Sequence, residues 1–438
     1  MVSTSASTKK KKKAKKGAKR KPVNLQANFN SKCSSRRNAG GAGAEAEADA
    51  EDGTVEPHPA VFDISALHAD MFPSNDEAIP AEVASRTNPN DDGGDADAAG
   101  GMALGDFHLH SVCSDGKLKP HDVIAKAVEN GVEYMSLTDH DTMAGVPEAM
   151  AAAQELGVFV IPGVEISAEV KGGENLHILG YFYPGSNSSE LEKQLEKIRM
   201  GRHKRGKEML AKLASMGIKL RWERVLEIAG EAAPGRPHVA QALVEGGFVS
   251  NFREAFSRYL HNDGPAYVEG EHFPPEEAIK LIDSAGGVSV LAHPWCCKDP
   301  MNLVPHLASL GIQGIEVYHD TGKIDMYGAL AKESNLLRLG GSDFHGIDPK
   351  TECAPGDIPL PKRHIDLFLA HAKRVWERPL AERLRVIAEQ RAEAETPESV
   401  LIWNEQRDFA QQFVESELGL SLSIEETRGH YSRVTLTR

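Results

Sequence analysis

From residue 102 onward the chain alternates short apolar runs with amphipathic stretches. Runs at 103–109, 134–138, 158–164, 176–182, 288–292, 312–318 and 336–340 read as strands, and 120–130, 146–156, 275–285 and 324–333 as helices between them. Such alternation predicts βα units with parallel strands, hence an α/β fold with an open sheet or a barrel. Between about 190 and 264 it breaks. There 189–216, 222–229, 237–245 and 252–260 follow one another as helices, which reads as a helical insertion. Beyond about 361 the pattern is mostly helical again, with 432–437 left unassigned. No internal repeat is visible.

The segment 1–101 has a different texture. A lysine-rich run is followed by Ala, Gly, Asp and Glu at 40–52 and 88–101, with few large apolar residues. That composition cannot offset the entropy of ordering by burial, so it predicts a disordered tail. A short apolar island at 61–72 stays unassigned. The chain then divides into a tail (1–101), a catalytic barrel (102–360, with the insertion at about 190–264) and a mostly helical extension (361–438).

Composition adds limits. Hydrophobic residues make up 40% and charged residues 26% of the 438 residues, ordinary for a protein with a sizeable core. No apolar run approaches the roughly 20 residues that span a bilayer, and the lysine-rich start lacks the apolar stretch of a secretory signal. Cys33, Cys113, Cys296, Cys297 and Cys353 show no spacing of a thiolate metal site or a disulfide framework, so they read as incidental thiols in a reducing compartment.

Charge is unevenly spread. Ten Lys or Arg residues and no acid lie between Lys9 and Lys21; setting those ten charges aside takes the net −14 of the chain to −24 for the remainder. The globular part is therefore no general polyanion binder, and any phosphate it handles must meet bound cations or a few placed basic residues. The lysine run itself admits three readings: a nuclear address, an arm contacting nucleic acid, or a solvated tail. Cytoplasmic and nuclear locations both stay open. An organelle address, usually richer in Arg and Ser, ranks below them.

Candidate chemistry sits at the strand ends. The first strand carries Asp106-Phe-His108-Leu-His110, where i and i+2 side chains point the same way. Asp115 follows in a Ser-Asp-Gly turn, the second strand ends at Asp139-His140-Asp141, the third runs into Glu165, and the fourth starts at His177. Later strands end at His293 and at Asp343-Phe-His345. Each piece has a plain structural alternative: satisfied imidazoles on a half-buried strand, an Asp in a turn, a helix cap. One metal cluster explains all of them together. In α/β barrels the C-terminal strand ends form the catalytic rim. Imidazole and carboxylate without thiolate suit zinc, iron or manganese, and nine ligands are too many for one ion and about right for two or three.

These residues resemble the PHP (polymerase and histidinol phosphatase) domain family. The resemblance rests on FHLHSVCSDG, SLTDHDTMAGVPEA, IPGVEIS, LHILGYF, VLAHP and GGSDFH, in that order over about 106–345. It implies a distorted (β/α)7 barrel with two or three divalent ions. It also implies an apportioning: His108, His110, Glu165 and Asp343 on one ion; Glu165 bridging to a second held by His177 and His293; Asp115, His140 and His345 on a third. Asp139 and Asp141 are expected to orient the imidazoles.

The insertion segment Gly235-Arg236-Pro237-His238 resembles the branch with nucleoside 3′,5′-bisphosphate phosphatases and a bacterial 5′→3′ exoribonuclease. The resemblance implies that Arg236 and His238 reach a substrate phosphate; on residues alone Arg236 reads as a surface ion pair beside a helix-starting proline. Arg202 and Arg205 are weaker candidates, since a basic stripe on a helix is usually a solvated face. The expected activity is hydrolysis of phosphate esters by a metal-bridged hydroxide, on a bisphosphate nucleotide or the 5′ end of a short RNA. Alternatives are a histidinol-phosphatase type of metabolite phosphatase and a non-catalytic scaffold, whose mark would be lost ligands; none is lost here.

Overall fold

The structure, a computed structural model, describes residues 103–437 apart from 171–174, 187, 231, 262–263, 269–272, 320–321, 348–351 and 391–397. The expected tail at 1–101, with its lysine run, lies outside the described residues.

Seven strands form one sheet in chain order: β1 (Gly105–Leu109), β2 (Tyr134–Leu137), β3 (Phe159–Glu169), β4 (Asn175–Tyr181), β5 (Val288–Leu291), β6 (Gly314–Tyr318) and β7 (Leu337–Gly340). The sheet curls until its two edges meet, where Leu109 bridges Phe344 in parallel and the Asp343 N–H donates to the His108 carbonyl at 3.0 Å. This is a distorted seven-stranded α/β barrel. Helices α1 (Pro120–Glu129) and α2 (Val146–Leu156) follow β1 and β2. A proline starts each, and Gly157 ends α2 at φ 81°, a left-handed position that a side chain would strain.

One expectation needs correcting. The sheet is not wholly parallel, because β4 runs antiparallel to both β3 and β5. Only residues 170–174 separate β3 from β4, too few for the crossover of a dozen or more residues that parallel neighbours require. The reversal brings the start of β4 to the same rim as the ends of the parallel strands.

The insertion leaves the barrel after β4. It comprises α3 (Ser189–Ser215), α4 (Trp222–Ala229), α5 (Arg236–Glu245) and α6 (Phe252–Ala255), the last continued by a wider turn at Phe256–Leu260. Its own small core includes Met209, Leu213, Val225, Val239, Leu243 and Leu260. Return to the barrel is through α7 (Pro275–Ser284), and α8 (Pro300–Ser309) and α9 (Ile324–Glu333) complete the surround.

A second correction concerns the C-terminal extension. It does contain helices, α10 (Lys362–Gln390) and α11 (Arg407–Ser416), but also a three-stranded antiparallel sheet of β8 (Ser399–Trp403), β9 (Ser421–Glu426) and β10 (Tyr431–Thr437), ordered β8-β10-β9. The strand signal was present: Leu422 and Ile424 alternate with exposed Ser421, Ser423 and Glu425, a period of two. The extension packs into the barrel core. Phe368 of α10 meets Phe107 and Tyr181 edge-on at 5.1 and 5.3 Å, and the buried Trp376 indole N–H donates to the Tyr181 carbonyl at 3.2 Å. Among the described residues no helix is long and apolar enough to cross a membrane.

Candidate metal centre

The nine candidate ligands all lie at one end of the barrel. His108 is on β1 and His110 just beyond it; Asp115 is in the following turn; His140 follows β2; Glu165 is on β3, His177 on β4, His293 after β5, and Asp343 and His345 after β7. Glu165 is the hub. Its Oε2 lies 3.2 Å from Nε2 of both His108 and His110 and 2.9 Å from His140 Nδ1. Its Oε1 lies 2.8 Å from His177 Nδ1 and 3.0 Å from His293 Nε2. Asp343 Oδ1 approaches the same His108 and His110 nitrogens at 3.4 and 3.2 Å. Asp115 completes the other flank, 3.3 Å from His345 Nε2 and 3.7 Å from His140 Nε2.

These approaches are short, yet most are not hydrogen bonds. His108 Nε2, His110 Nε2, His140 Nδ1, Asp115 Oδ1 and Glu165 Oε2 are buried and lack a hydrogen-bond partner. Buried polar atoms left so are costly, and five together at one point are out of keeping with a structural network. Their lone pairs converge on shared points, which fits divalent cations held by imidazole and carboxylate. Three overlapping groups meet ligand spacing: His110, Asp115, His140 and His345; His108, His110 and Glu165; His140, Glu165 and His177.

Carboxylates and imidazoles offset one another's charge here: against burial, the acids raise His108 and His110 and take His345 up to about 10. Burial alone would raise the Glu165 carboxyl, but the imidazoles of His140, His177 and His108 outweigh it and hold the group well below the usual carboxylate range. Asp115 behaves likewise, burial being overcome by His140 and His345. Burial takes His177 down to about 4, Glu165 opposing only in part, so this imidazole is neutral.

Backbone strain collects at the same rim. Four non-glycine residues among those described have positive φ, and three of them, Asp141 (54°), His293 (29°) and Asp343 (52°), are ligands or their neighbours. Close approach matters too: a Cβ on Gly341 would lie 2.2 Å from the His108 Cβ, so only glycine lets the two sheet edges meet.

Second-layer roles differ from expectation. Asp139 accepts from the Ser111 N–H and hydroxyl, both at 2.7 Å, and from the Ser114 hydroxyl at 2.6 Å, fixing the loop that carries Asp115; it reaches an imidazole only through Ser114, whose Oγ lies 3.5 Å from His110 Nδ1. Asp141 accepts from the Ser167 N–H at 2.7 Å and pairs with Arg202 at 2.6 Å. Sequence reasoning missed Glu316 of β6. Its carboxylate accepts from His108 Nδ1 at 3.0 Å and from the His293 N–H at 2.7 Å. The proton on Nδ1 leaves the His108 Nε2 lone pair for a cation. A signal existed, since a lone Glu in the apolar run Gly-Ile-Glu-Val-Tyr must be paired if buried.

The insertion residues stand outside the cluster. His238 Nδ1 accepts the Gly235 N–H at 2.9 Å, capping α5, and burial takes the ring down to about 4, with Asp115 opposing. Arg236 donates to the Leu260 carbonyl at 3.2 Å and lies over the Phe256 ring at 5.9 Å.

Comparison with known proteins agrees with this geometry. The PHP domain family model matches residues 106–261. A 5′-3′ exoribonuclease from Haemophilus influenzae is 36% identical over 253 residues, 55% of this chain and 89% of that protein. A 3′,5′-nucleoside bisphosphate phosphatase from Chromobacterium violaceum is 33% identical over 299 residues, 65% of this chain and 99% of that protein. Among solved structures, one described as a metal-dependent phosphoesterase from Bifidobacterium adolescentis superposes with a TM-score of 0.53 at 28% identity, covering 61% of this chain and 95% of that one.

Proposed function

This chain belongs to the PHP-domain family and is a metal-dependent phosphoester hydrolase; from that premise we propose that it acts on nucleotides, as 3′,5′-bisphosphates or as the 5′ end of a short RNA. The observation that supports the reading is the Glu165-centred cluster together with an insertion residue, His238, that the charges of Asp115 and His140 reach. The relatives with that activity in their names are similar over most of their own length.

In this reading His108, His110, Asp115, His140, Glu165, His177, His293, Asp343 and His345 hold two or three divalent ions, manganese, zinc or iron. Such ions bring the pKa of bound water toward about 7 and spread the charge that develops on phosphate. The protein's own part is placement. Glu165 uses both carboxylate oxygens, one toward each side of the cluster, and so fixes the spacing between the sides. Glu316 sets the His108 ring. His238 is neutral with Nδ1 occupied, so its proton is on Nε2; we assign it donation to a phosphate oxygen, because a neutral imidazole is a weak acid for an alkoxide. Arg236 supplies a guanidinium fork for a second phosphate oxygen.

Phosphate release from adenosine 3′,5′-bisphosphate, a 5′-phosphorylated oligoribonucleotide and histidinol phosphate, with manganese present, tests the assignment. At least one nucleotide substrate is expected to exceed histidinol phosphate tenfold or more in kcat/KM. Equal or faster turnover of histidinol phosphate overturns it.

A further inference from the structure

Beside the rim, between β3, β4 and α3, lies a cavity of about 210 Å³. Ser167, Glu169 and Asn175 form its strand wall, and Lys197, Arg202 and Arg205 part of its helix wall. On β3, Glu165, Ser167 and Glu169 are alternate residues and share a face. Two residues of strand span roughly 7 Å, so the cavity begins one repeat away from the hub of the metal centre.

The two arginines of α3 differ in what they touch. Arg202 is braced: its Nη2 lies 2.6 Å from Ser167 Oγ and 2.6 Å from Asp141 Oδ2. Arg205, one turn further along, lines the cavity, and among the described residues its guanidinium makes no hydrogen bond or ion pair. Burial first, then the charges of Arg202 and Arg236, push it down to about 10, with Asp141 and Glu169 offsetting only part. A half-buried cation, repelled by two others and facing a polar hollow, has an unmet need for an anion.

We propose that this cavity is a subsite for a phosphate other than the one being hydrolysed, with Arg205 as its anchor. Its volume is below the roughly 300–1,000 Å³ that houses a whole small ligand, so it takes one group of the substrate and not the entire nucleotide. Lys197, which donates to the Gln194 amide oxygen at 3.2 Å, adds charge, and the Asn175 amide, 3.4 Å from the Tyr267 hydroxyl, lines the strand wall. Two acids line the cavity as well. Glu169 accepts from the Tyr267 hydroxyl at 3.2 Å, and Glu277 is exposed. Adjacency to the rim lets one molecule place a phosphate at the metals and another at Arg205, which a monophosphate cannot do.

The inference rests on the nucleotide reading above, and its test separates the two. With manganese-loaded enzyme, kcat/KM is measured for adenosine 3′,5′-bisphosphate and for adenosine 3′- and 5′-monophosphates. Arg205→Met is expected to cut the preference for the bisphosphate at least tenfold, mainly through KM. Arg205→Lys, which keeps the charge and loses the fork, falls between. A preference unchanged within twofold in Arg205→Met overturns the subsite. If the wild-type enzyme turns over none of these nucleotides, the functional reading fails by itself. Calorimetric titration of the loaded enzyme with inorganic phosphate then decides the subsite: two binding events reduced to one by Arg205→Met support it, and an identical titration in both proteins overturns it.

Discussion

Two stretches of the same strand show opposite investments. At the start of β3, Phe159 stacks on Trp403 at 5.2 Å, and the Tyr431 hydroxyl accepts the Val160 N–H at 2.7 Å while donating to the Val160 carbonyl at 2.9 Å. The Val160 N–H and carbonyl and the Tyr431 hydroxyl are all paired, and the C-terminal sheet is fastened to the barrel as a result. Five residues on, Glu165 is as deeply buried, yet one of its oxygens and the facing ring nitrogens of His108, His110 and His140 have no hydrogen-bond partner. Satisfied groups give stability; unsatisfied convergent ones give a site.

Substitutions at the two ends should therefore separate activity from stability. The largest effect on activity is expected from Asp343→Asn. It keeps the shape but removes the charge that faces His108 and His110. Loss of several kcal/mol of transition-state stabilisation, at about 1.4 kcal/mol per tenfold, is a drop of about a thousandfold in kcat/KM. Metal content by mass spectrometry should fall with it, and the melting temperature of the metal-free protein should shift by no more than a few degrees. Full activity with full metal content would remove Asp343 from the centre.

Next is Glu316→Gln. The buried carboxylate would no longer accept from both His108 Nδ1 and the His293 N–H as an anion. Loss of such a second-layer partner lowers metal affinity or activity about 10- to 100-fold. Raising the manganese concentration should restore part of the rate, and a variant whose rate and metal titration match the wild type would make Glu316 merely structural.

Much of this arrangement was legible because the ligands cluster at strand ends. His108 and His110 are an i, i+2 pair at the end of β1, while Asp115, His140, Asp343 and His345 come from the turns that follow strands. What escaped notice depended on partners distant in the chain. The role of Glu316 depends on His108, 208 residues away, and that of Arg205 on a cavity wall made by β3 and β4. By sequence, Arg202 and Arg205 look alike, two cations on one basic helix; only the neighbours Ser167 and Asp141 distinguish them. The β8–β10 sheet escaped for another reason. Its segments are short and separated by α11, and helical periodicity dominates the extension around them.

The smallest expected effect on activity comes from the other end of β3. Tyr431→Phe keeps the ring that packs on Phe159 at 5.5 Å and removes only the hydroxyl. The Val160 N–H and carbonyl then lose that partner while staying buried, since neither the ring nor the strand can open to water without separating the sheet from the barrel. Leaving buried groups unpaired costs about 2 kcal/mol here, at the middle of the range for such losses. For a domain of this size that is a fall of roughly 3 °C in melting temperature, measured calorimetrically. The rate at 25 °C should stay within twofold of the wild type, because Val160 lies five residues from Glu165 and outside the cluster. A large loss of rate with no loss of stability would mean that the two ends of β3 are coupled, and that the division drawn between them is false.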